Sequence, residues 1–149
     1  MQRPALLATL YGGFIAGTID IFAAASIYWI SPFVIAQAIA RGVLGKDAFS
    51  GGVSSAALGV ILQWAMSLII AAIFVFAATR MRILLRRWIA AGVAYGAVVF
   101  VVMNYVVVPL SRVGSVPHFT TTTFTLNLAA MFLFGLIVAW YARRYLSIE

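Results

Sequence analysis

Four long apolar stretches constrain the fold of this chain more than any other feature. They cover residues 4–28, 54–79, 88–110 and 121–141. A helix of about 20 residues crosses the hydrocarbon core of a bilayer, and each stretch is long enough to do so. With 65% hydrophobic and 9% charged residues, the chain also has too few polar side chains to cover a water-soluble domain. The sequence therefore predicts an all-α membrane protein, with residues 1–149 forming a single domain of four transmembrane helices.

The Lys and Arg residues in the connections predict how the helices are oriented. Seven of the ten lie at the N-terminus, in the second connection or at the C-terminus: Arg3, Arg80, Arg82, Arg86, Arg87, Arg143 and Arg144. The first and third connections carry the other three, Arg41, Lys46 and Arg112. Since short cytoplasmic loops are enriched in Lys and Arg, this bias predicts that both termini face the cytoplasm.

The first connection is not an ordinary loop. Residues 33–44 are mostly apolar but too few to span a bilayer, so we expect a helix that lies in the outer interface or enters the membrane re-entrantly. Pro32 suits the first turn of such a helix, and Gly42 and Gly45 suit its end. We expect this helix to pack over the bundle and to cover the level of Asp20. An extended solvated loop is the alternative.

Asp20 is the only acidic residue within the four apolar stretches. An ionisable group inside a membrane normally faces protein or water, so Asp20 marks either a functional site or an internal structural bond. In the predicted topology it lies in the outer half of the first helix, and Gln63, Asn104 and Asn127 lie in the outer halves of the other three. We predict that these four residues, with the neighbouring Thr18, form a ligand or proton site.

Glycines indicate where the helices approach one another closely. Gly13 with Gly17, and Gly92 with Gly96, form two GxxxG pairs, and Gly59 adds a small residue to the second helix. Small residues at this spacing allow the backbones of neighbouring helices to come together. We therefore predict that these five glycines lie at helix contacts.

Two interpretations of Asp20 are open. In the first, it is a protonated or hydrogen-bonded partner of Gln63 and Asn104 that only holds the helices together. In the second, it lies in a pocket that opens outward and binds a proton, a cation or the amine of a small solute. Metal or haem ligation has less support, because His118, the sole histidine, lies in a connection and no second carboxylate lies in the membrane. We expect no metal and no cofactor.

Enzymatic function has the weakest support of the classes that we considered. Membrane aspartyl proteases need two carboxylates, and lipid phosphotransferases need clustered acidic or histidine side chains. A serine and histidine pair could be drawn from Ser111 or Ser115 with His118, but no orienting acid is near in the sequence. We therefore expect no catalytic residue. The basic residues lie at helix ends and do not alternate with aromatic residues, so we expect no nucleic-acid partner.

Several sequence blocks resemble a group of known proteins. The blocks are GTIDI at 17–21, GKDAFSGG at 45–52, LG at 58–59 and MNYVVVPLS at 103–111. Over most of the chain they resemble small uncharacterised four-helix inner-membrane proteins of bacteria, loosely of the YagU type. The resemblance implies a bacterial source and four helices, and it implies no reaction. Members of the group often have histidine in the second and fourth helices, near the places of Gln63 and Asn127 here, so histidine-dependent activity is not expected.

These features predict a multi-pass protein of the bacterial inner membrane. We expect a non-enzymatic accessory or partner-binding subunit of a membrane complex. Its partners would be membrane lipids and either another membrane protein or further copies of the chain. The alternative is a small transporter or channel for protons, cations or a small solute, with Asp20 at its site.

Overall fold

The protein is described by a computed structural model that covers residues 2–146, apart from the side chain of Gln2. No β-strand occurs in this range. The helices are α1 (Gln2–Tyr28), α2 (Pro32–Leu44), a 3₁₀ helix (Gly45–Ser50), α3 (Gly52–Arg80), α4 (Ile83–Arg86), α5 (Trp88–Val102), a π-helical turn (Met103–Val107), α6 (Val108–Leu110) and α7 (Thr121–Leu146).

Four helices in the described range are long and apolar enough to cross a membrane. They cover Arg3–Tyr28, Gly52–Arg80, Trp88–Leu110 and Thr121–Leu146. The prediction of four long apolar helices is therefore confirmed. The third helix has the predicted bounds and the first begins one residue earlier, whereas the second reaches Arg80 and the fourth continues through Arg143 and Arg144 to Leu146.

The four long helices pack in a definite order. The first, α1, packs between α3 and α7, and α7 in turn packs against α5. Successive long helices run in opposite directions, so the bundle has two ends. We call them the α2 end, which carries the connections 29–51 and 111–120, and the α4 end, which carries the connection 81–87.

Small residues form the closest helix contacts. A Cβ atom on Gly96 would lie 2.8 Å from the carbonyl carbon of Met131, and one on Gly135 would collide with the carbonyl oxygen of Gly92. These contacts bring the backbones of α5 and α7 together. Dispersion between closely packed backbones is a main source of helix association in a membrane, where lipid competes for apolar side chains.

Gly13 and Gly17, the two glycines of α1 that the sequence predicts at a helix contact, pack against α3. A Cβ on Gly13 would lie 2.8 Å from a methyl carbon of Leu68, and one on Gly17 would lie 2.9 Å from the Cβ of Ser67. The buried core continues from this contact toward the α4 end, and half of its residues are alanine. It includes Ala8, Ala16, Ala71, Phe74, Val75, Ala78, Phe134, Val138, Ala139 and Ala142.

A π-helical turn follows α5 over Met103–Val107. The backbone N–H of Val108 donates to the carbonyl of Met103, five residues earlier. Pro109 has no N–H to donate to the carbonyl of Tyr105, so a regular α-helical ladder cannot continue through this position. The wider turn accommodates the proline and alters which side chains of this helix face the bundle.

The short helix α2 packs against α3. A Cβ on Gly59 would lie 2.5 Å from the carbonyl carbon of Ala36, so the two backbones touch at this glycine. The buried Gln37 side chain donates to the carbonyl oxygen of Gly52 over 3.2 Å. Because α2 begins at Pro32, this helix occupies the segment predicted at 33–44. Gly59 thus contacts α2 and not another long helix.

Candidate intramembrane polar site

A cavity of about 190 Å³ lies among all four long helices. Its polar lining includes Asp20 from α1, Gln63 from α3, Asn104 from the π-helical turn and Asn127 from α7. All four side chains are partly buried. The structure therefore brings together four of the five residues that the sequence predicts for a ligand or proton site.

Gln63 connects α3 to α1 through two hydrogen bonds. Its side-chain nitrogen Nε2 donates to Oδ2 of Asp20 over 3.0 Å and to the carbonyl oxygen of Gly17 over 3.1 Å. Both partners are acceptors, which fixes the orientation of the Gln63 amide with its nitrogen toward α1. The oxygen of the same amide is therefore turned away from these bonds.

The two asparagines bond mainly to their own helices. Asn104 Nδ2 donates to the carbonyl oxygen of Phe100 over 2.9 Å, and Asn127 Nδ2 donates to that of Thr123 over 2.7 Å. Asn127 Nδ2 also lies 3.0 Å from the hydroxyl oxygen of Tyr28. Backbone carbonyls only accept, so the nitrogen of each amide must face its carbonyl and the amide oxygen must face away.

Hydrogen-bond acceptors are therefore left over around the cavity. Among residues 2–146, no protein donor reaches Oδ1 of Asp20 or the amide oxygens of Gln63, Asn104 and Asn127. The described lining contains no Lys, Arg or His, so Asp20 is its only ionisable group. A site of this composition suits a ligand that brings donors or positive charge and repels an anion.

Side chains join α3 and α5 on the side of the cavity that faces the α4 end. There, the Tyr95 hydroxyl donates to the carbonyl oxygen of Ile70 over 2.7 Å, and the rings of Tyr95 and Phe74 lie 5.1 Å apart. Farther toward the α2 end, the π-helical turn faces Gln63 and Met66 across the cavity. Neither backbone comes close enough there to fill the space.

Thr18 does not belong to this site, and its prediction as a site residue is not supported by the geometry. Its hydroxyl donates to the carbonyl oxygen of Phe14 over 2.7 Å and accepts from the Trp64 indole over 3.1 Å. It lines a different, apolar cavity between α1, α2 and α3. Thr18 and Asp20 are two positions apart in α1. Two positions along an α-helix rotate by about 200°, so the two side chains point to opposite sides of the helix.

The helix α2 does not cover the Asp20 cavity, in contrast to the prediction. The described lining residues come from the long helices and from the π-helical turn and α6 that continue α5, and none comes from α2. The α2 helix packs against α3 where Gly59 meets Ala36, and near its end the carbonyl oxygen of Gly42 accepts from the backbone N–H of Arg112 over 3.0 Å.

Two further residues belong to the site beside those predicted for it. Tyr28 contacts Asn127 from the last turn of α1, and Ser67 lines the cavity from the turn after Gln63. The spacing of four residues from Gln63 to Ser67 could have identified the second. His118 is exposed, and no group of three potential metal ligands occurs among the described residues.

Comparison of the chain with protein-family profiles, with curated proteins and with solved structures finds no match. The likeness to proteins of the YagU type stays a prediction.

Proposed function

We propose that this protein is a small membrane transporter or channel that binds a solute with a cationic N–H group at Asp20. The observation that carries the proposal is the surplus of acceptor oxygens around one cavity, with each long helix contributing one polar side chain. An ammonium group brings a positive charge and several donors, which match a carboxylate and amide oxygens. This is the alternative that the sequence leaves open, and the geometry supports it better than the accessory role.

We further propose that both termini face the cytoplasm of a bacterial cell, in whose inner membrane the four helices lie. The α4 end carries seven of the ten basic residues, and the α2 end carries Arg41, Lys46 and Arg112. In this orientation α2 lies at the outer interface. Trp29 follows α1 and is 92% exposed at the same end, where an indole ring suits the boundary between lipid and water.

A purely structural role for Asp20 explains less of the geometry. That interpretation expects Asp20 to be bonded by both Gln63 and Asn104. The Asn104 nitrogen instead donates to Phe100 in its own helix, so the Gln63 bond is the only side-chain bond that Asp20 receives within the described range. Among the described residues no fully buried side-chain oxygen or nitrogen lacks a hydrogen-bond partner, so Oδ1 of Asp20 borders the open space of the cavity.

The accessory role stays a prediction. Exposed apolar side chains occur on every long helix, for example Leu10, Ile69, Val98 and Leu133. Lipid contact alone requires such surfaces, so they do not indicate a protein partner. We propose no enzymatic activity, because the polar groups around the cavity include one carboxylate and no nucleophile paired with a base.

Binding of methylammonium to the protein in lipid nanodiscs at pH 7 tests the proposal. An alkylammonium ion is fully charged there, since its pKa is near that of lysine, about 10.4. We expect Asp20→Asn to weaken binding about 10- to 100-fold, as the loss of a hydrogen bond to a charged group does. The matched control is Asp47→Asn, because Asp47 is exposed in the 3₁₀ helix and far from the cavity lining.

Uptake of labelled methylammonium into proteoliposomes separates transport from binding. We expect uptake with the wild type and with Asp47→Asn, and none above empty liposomes with Asp20→Asn. Equal binding by wild type and Asp20→Asn, or no binding by the wild type at all, would reject Asp20 as an ammonium site. Binding without uptake would reject the transport role and keep the site.

A further inference from the structure

We propose that the solute is an amphiphilic organic amine, with its ammonium group at Asp20 and its apolar part in a second cavity. This inference rests on the proposed function and names the chemical class of ligand. The second cavity has a volume of about 400 Å³ and lies between α2, α3 and the end of the third long helix. It is the part of the molecule where an apolar group could extend from the Asp20 site without crossing the bundle.

The wall of the second cavity is almost wholly apolar. Its α2 side is formed by residues such as Ile39 and Val43, and its opposite side by Leu62 and Val107. No Lys, Arg, Asp or Glu is among its described lining residues. Burial of apolar surface is favourable there, and the cavity offers no partner for a second charged group.

The two cavities adjoin one another. They share four lining residues, which are Gln63, Met66, Met103 and Val108. Two of these are methionines, whose unbranched side chains adopt several rotamers and adapt to different neighbours. These shared side chains form the wall between the two cavities, so a ligand whose charged group contacts Asp20 would extend its apolar group toward α2 through a rotamer change at Met66 and Met103.

The sizes of the two cavities favour an amphiphile over a simple cation. A bare ammonium or metal ion would use only the cavity of about 190 Å³ and leave the apolar cavity beside it without a role. Together the two volumes fall within the roughly 300–1,000 Å³ that is typical of small-molecule sites. Each buried methylene strengthens binding by about three- to fourfold, so a longer apolar group would bind more tightly.

The charge of the site argues against a phospholipid as the occupant. A phospholipid chain could enter the apolar cavity, but its anionic phosphate would then lie toward acceptor oxygens and a carboxylate. Asp20 lines the first cavity, Gln63 lines both, and no basic side chain lines either cavity among the described residues. The complement of this lining is a positive group with N–H donors.

Two alanines provide a matched test. Ala38 is exposed on α2 and lines the second cavity, but it does not line the Asp20 cavity. Ala57 is exposed on α3 and lines a separate apolar cavity of about 500 Å³ between α1, α2 and α3. Ala38→Phe would fill space that the proposed ligand needs, whereas Ala57→Phe makes the same change in a cavity that it does not use.

The measurement is binding of octylammonium and methylammonium to these variants in nanodiscs at pH 7. Partitioning into protein-free nanodiscs is subtracted, and it is the same for every variant. We expect octylammonium to bind the wild type at least about tenfold more tightly than methylammonium, as burial of several methylenes predicts. Ala38→Phe should lower octylammonium affinity at least about tenfold for the same reason and leave methylammonium affinity unchanged. Ala57→Phe should change neither.

Three results would overturn the inference. They are equal affinity of the wild type for the two amines, equal effects of Ala38→Phe and Ala57→Phe, and binding of neutral octanol as tight as that of octylammonium. Failure of the proposed function would give a different result, in which Asp20→Asn binds methylammonium as tightly as the wild type does. If either phenylalanine variant is unfolded by circular dichroism, Ala38→Leu and Ala57→Leu take its place, with a smaller expected effect of the same sign.

Discussion

The side-chain nitrogen of Gln63 lies 3.0 Å from a carboxylate oxygen of Asp20, and the same nitrogen bonds the carbonyl oxygen of Gly17. One amide thus joins α3 to α1 at the level of the cavity. It bonds Oδ2 of Asp20, and no protein donor among residues 2–146 bonds Oδ1. These bonds hold the carboxylate in one orientation, which in the proposed function would lower the entropic cost of binding a solute.

Gln63→Leu should weaken both the bundle and the site. The change removes two hydrogen bonds but keeps a similar volume, and interhelical bonds in membranes contribute about 0.6 kcal/mol each on average. We expect a loss of about 1 kcal/mol in the free energy of unfolding, measured by denaturant titration in detergent, since two such bonds are lost. We also expect weaker methylammonium binding, because Asp20 loses its fixed orientation.

The control for Gln63→Leu is Gln37→Leu. Gln37 joins α2 to the start of α3 through the carbonyl of Gly52, and it does not line the Asp20 cavity. Loss of this hydrogen bond in Gln37→Leu should lower the free energy of unfolding and leave methylammonium affinity unchanged. If both variants reduced binding equally, the effect would come from general loosening of the fold and not from Asp20.

Thr18→Val should leave the site intact. Valine has nearly the shape of threonine, and the hydroxyl that is lost contacts Phe14 and the Trp64 indole on the far side of α1 from the cavity. We expect methylammonium affinity to stay within about twofold of the wild type, because no bond to the charged ligand is removed. The measurement is isothermal titration of the protein with methylammonium. A loss of affinity of about tenfold would show that Thr18 belongs to the site after all.

The level of each polar group along its helix can be predicted from the sequence. Each residue advances an α-helix by about 1.5 Å, so counting from the helix ends gives the depth. This is why Asp20, Gln63, Asn104 and Asn127 are correctly predicted to share a level and line one cavity. The glycine pairs are informative for a similar reason, since few residues other than glycine permit two helix backbones to touch.

The direction in which a side chain points among several neighbours is harder to predict. Thr18 is close to Asp20 in sequence and faces away from it, since the bundle has cavities on both sides of α1. The position of α2 depends on how the first connection folds back, which places Ala36 against Gly59. The π-helical turn has a sequence signal in Pro109, but the proline alone does not distinguish a kink from a wider turn.

Gly96→Ala should destabilise the bundle more than Gly12→Ala. A Cβ on Gly96 would lie 2.8 Å from the Met131 carbonyl carbon, so α5 and α7 must separate to admit it. A Cβ on Gly12 would lie 3.5 Å from the Cβ of Tyr141, which is an ordinary contact. Alanine also favours a helix over glycine by about 1 kcal/mol, so Gly12→Ala should be neutral or stabilising.

Thermal unfolding in one detergent measures this difference directly. Both variants make the same chemical change within a long helix, so the difference between their midpoints reports only the local space. A lower midpoint for Gly12→Ala than for Gly96→Ala would contradict the close contact of α5 with α7.

The last prediction concerns orientation, and the absence of cysteine from the chain makes it simple to measure. Ser115 is exposed at the α2 end, and Met81 is 54% exposed at the α4 end. The excess of basic residues at the α4 end should keep that end in the cytoplasm. We expect a membrane-impermeant maleimide to label Ser115→Cys in intact spheroplasts, and to label Met81→Cys only after the membrane is permeabilised. The wild type contributes no background label. Labelling of Met81→Cys in intact spheroplasts, with Ser115→Cys protected, would invert the bundle and place Asp20 nearer the cytoplasm.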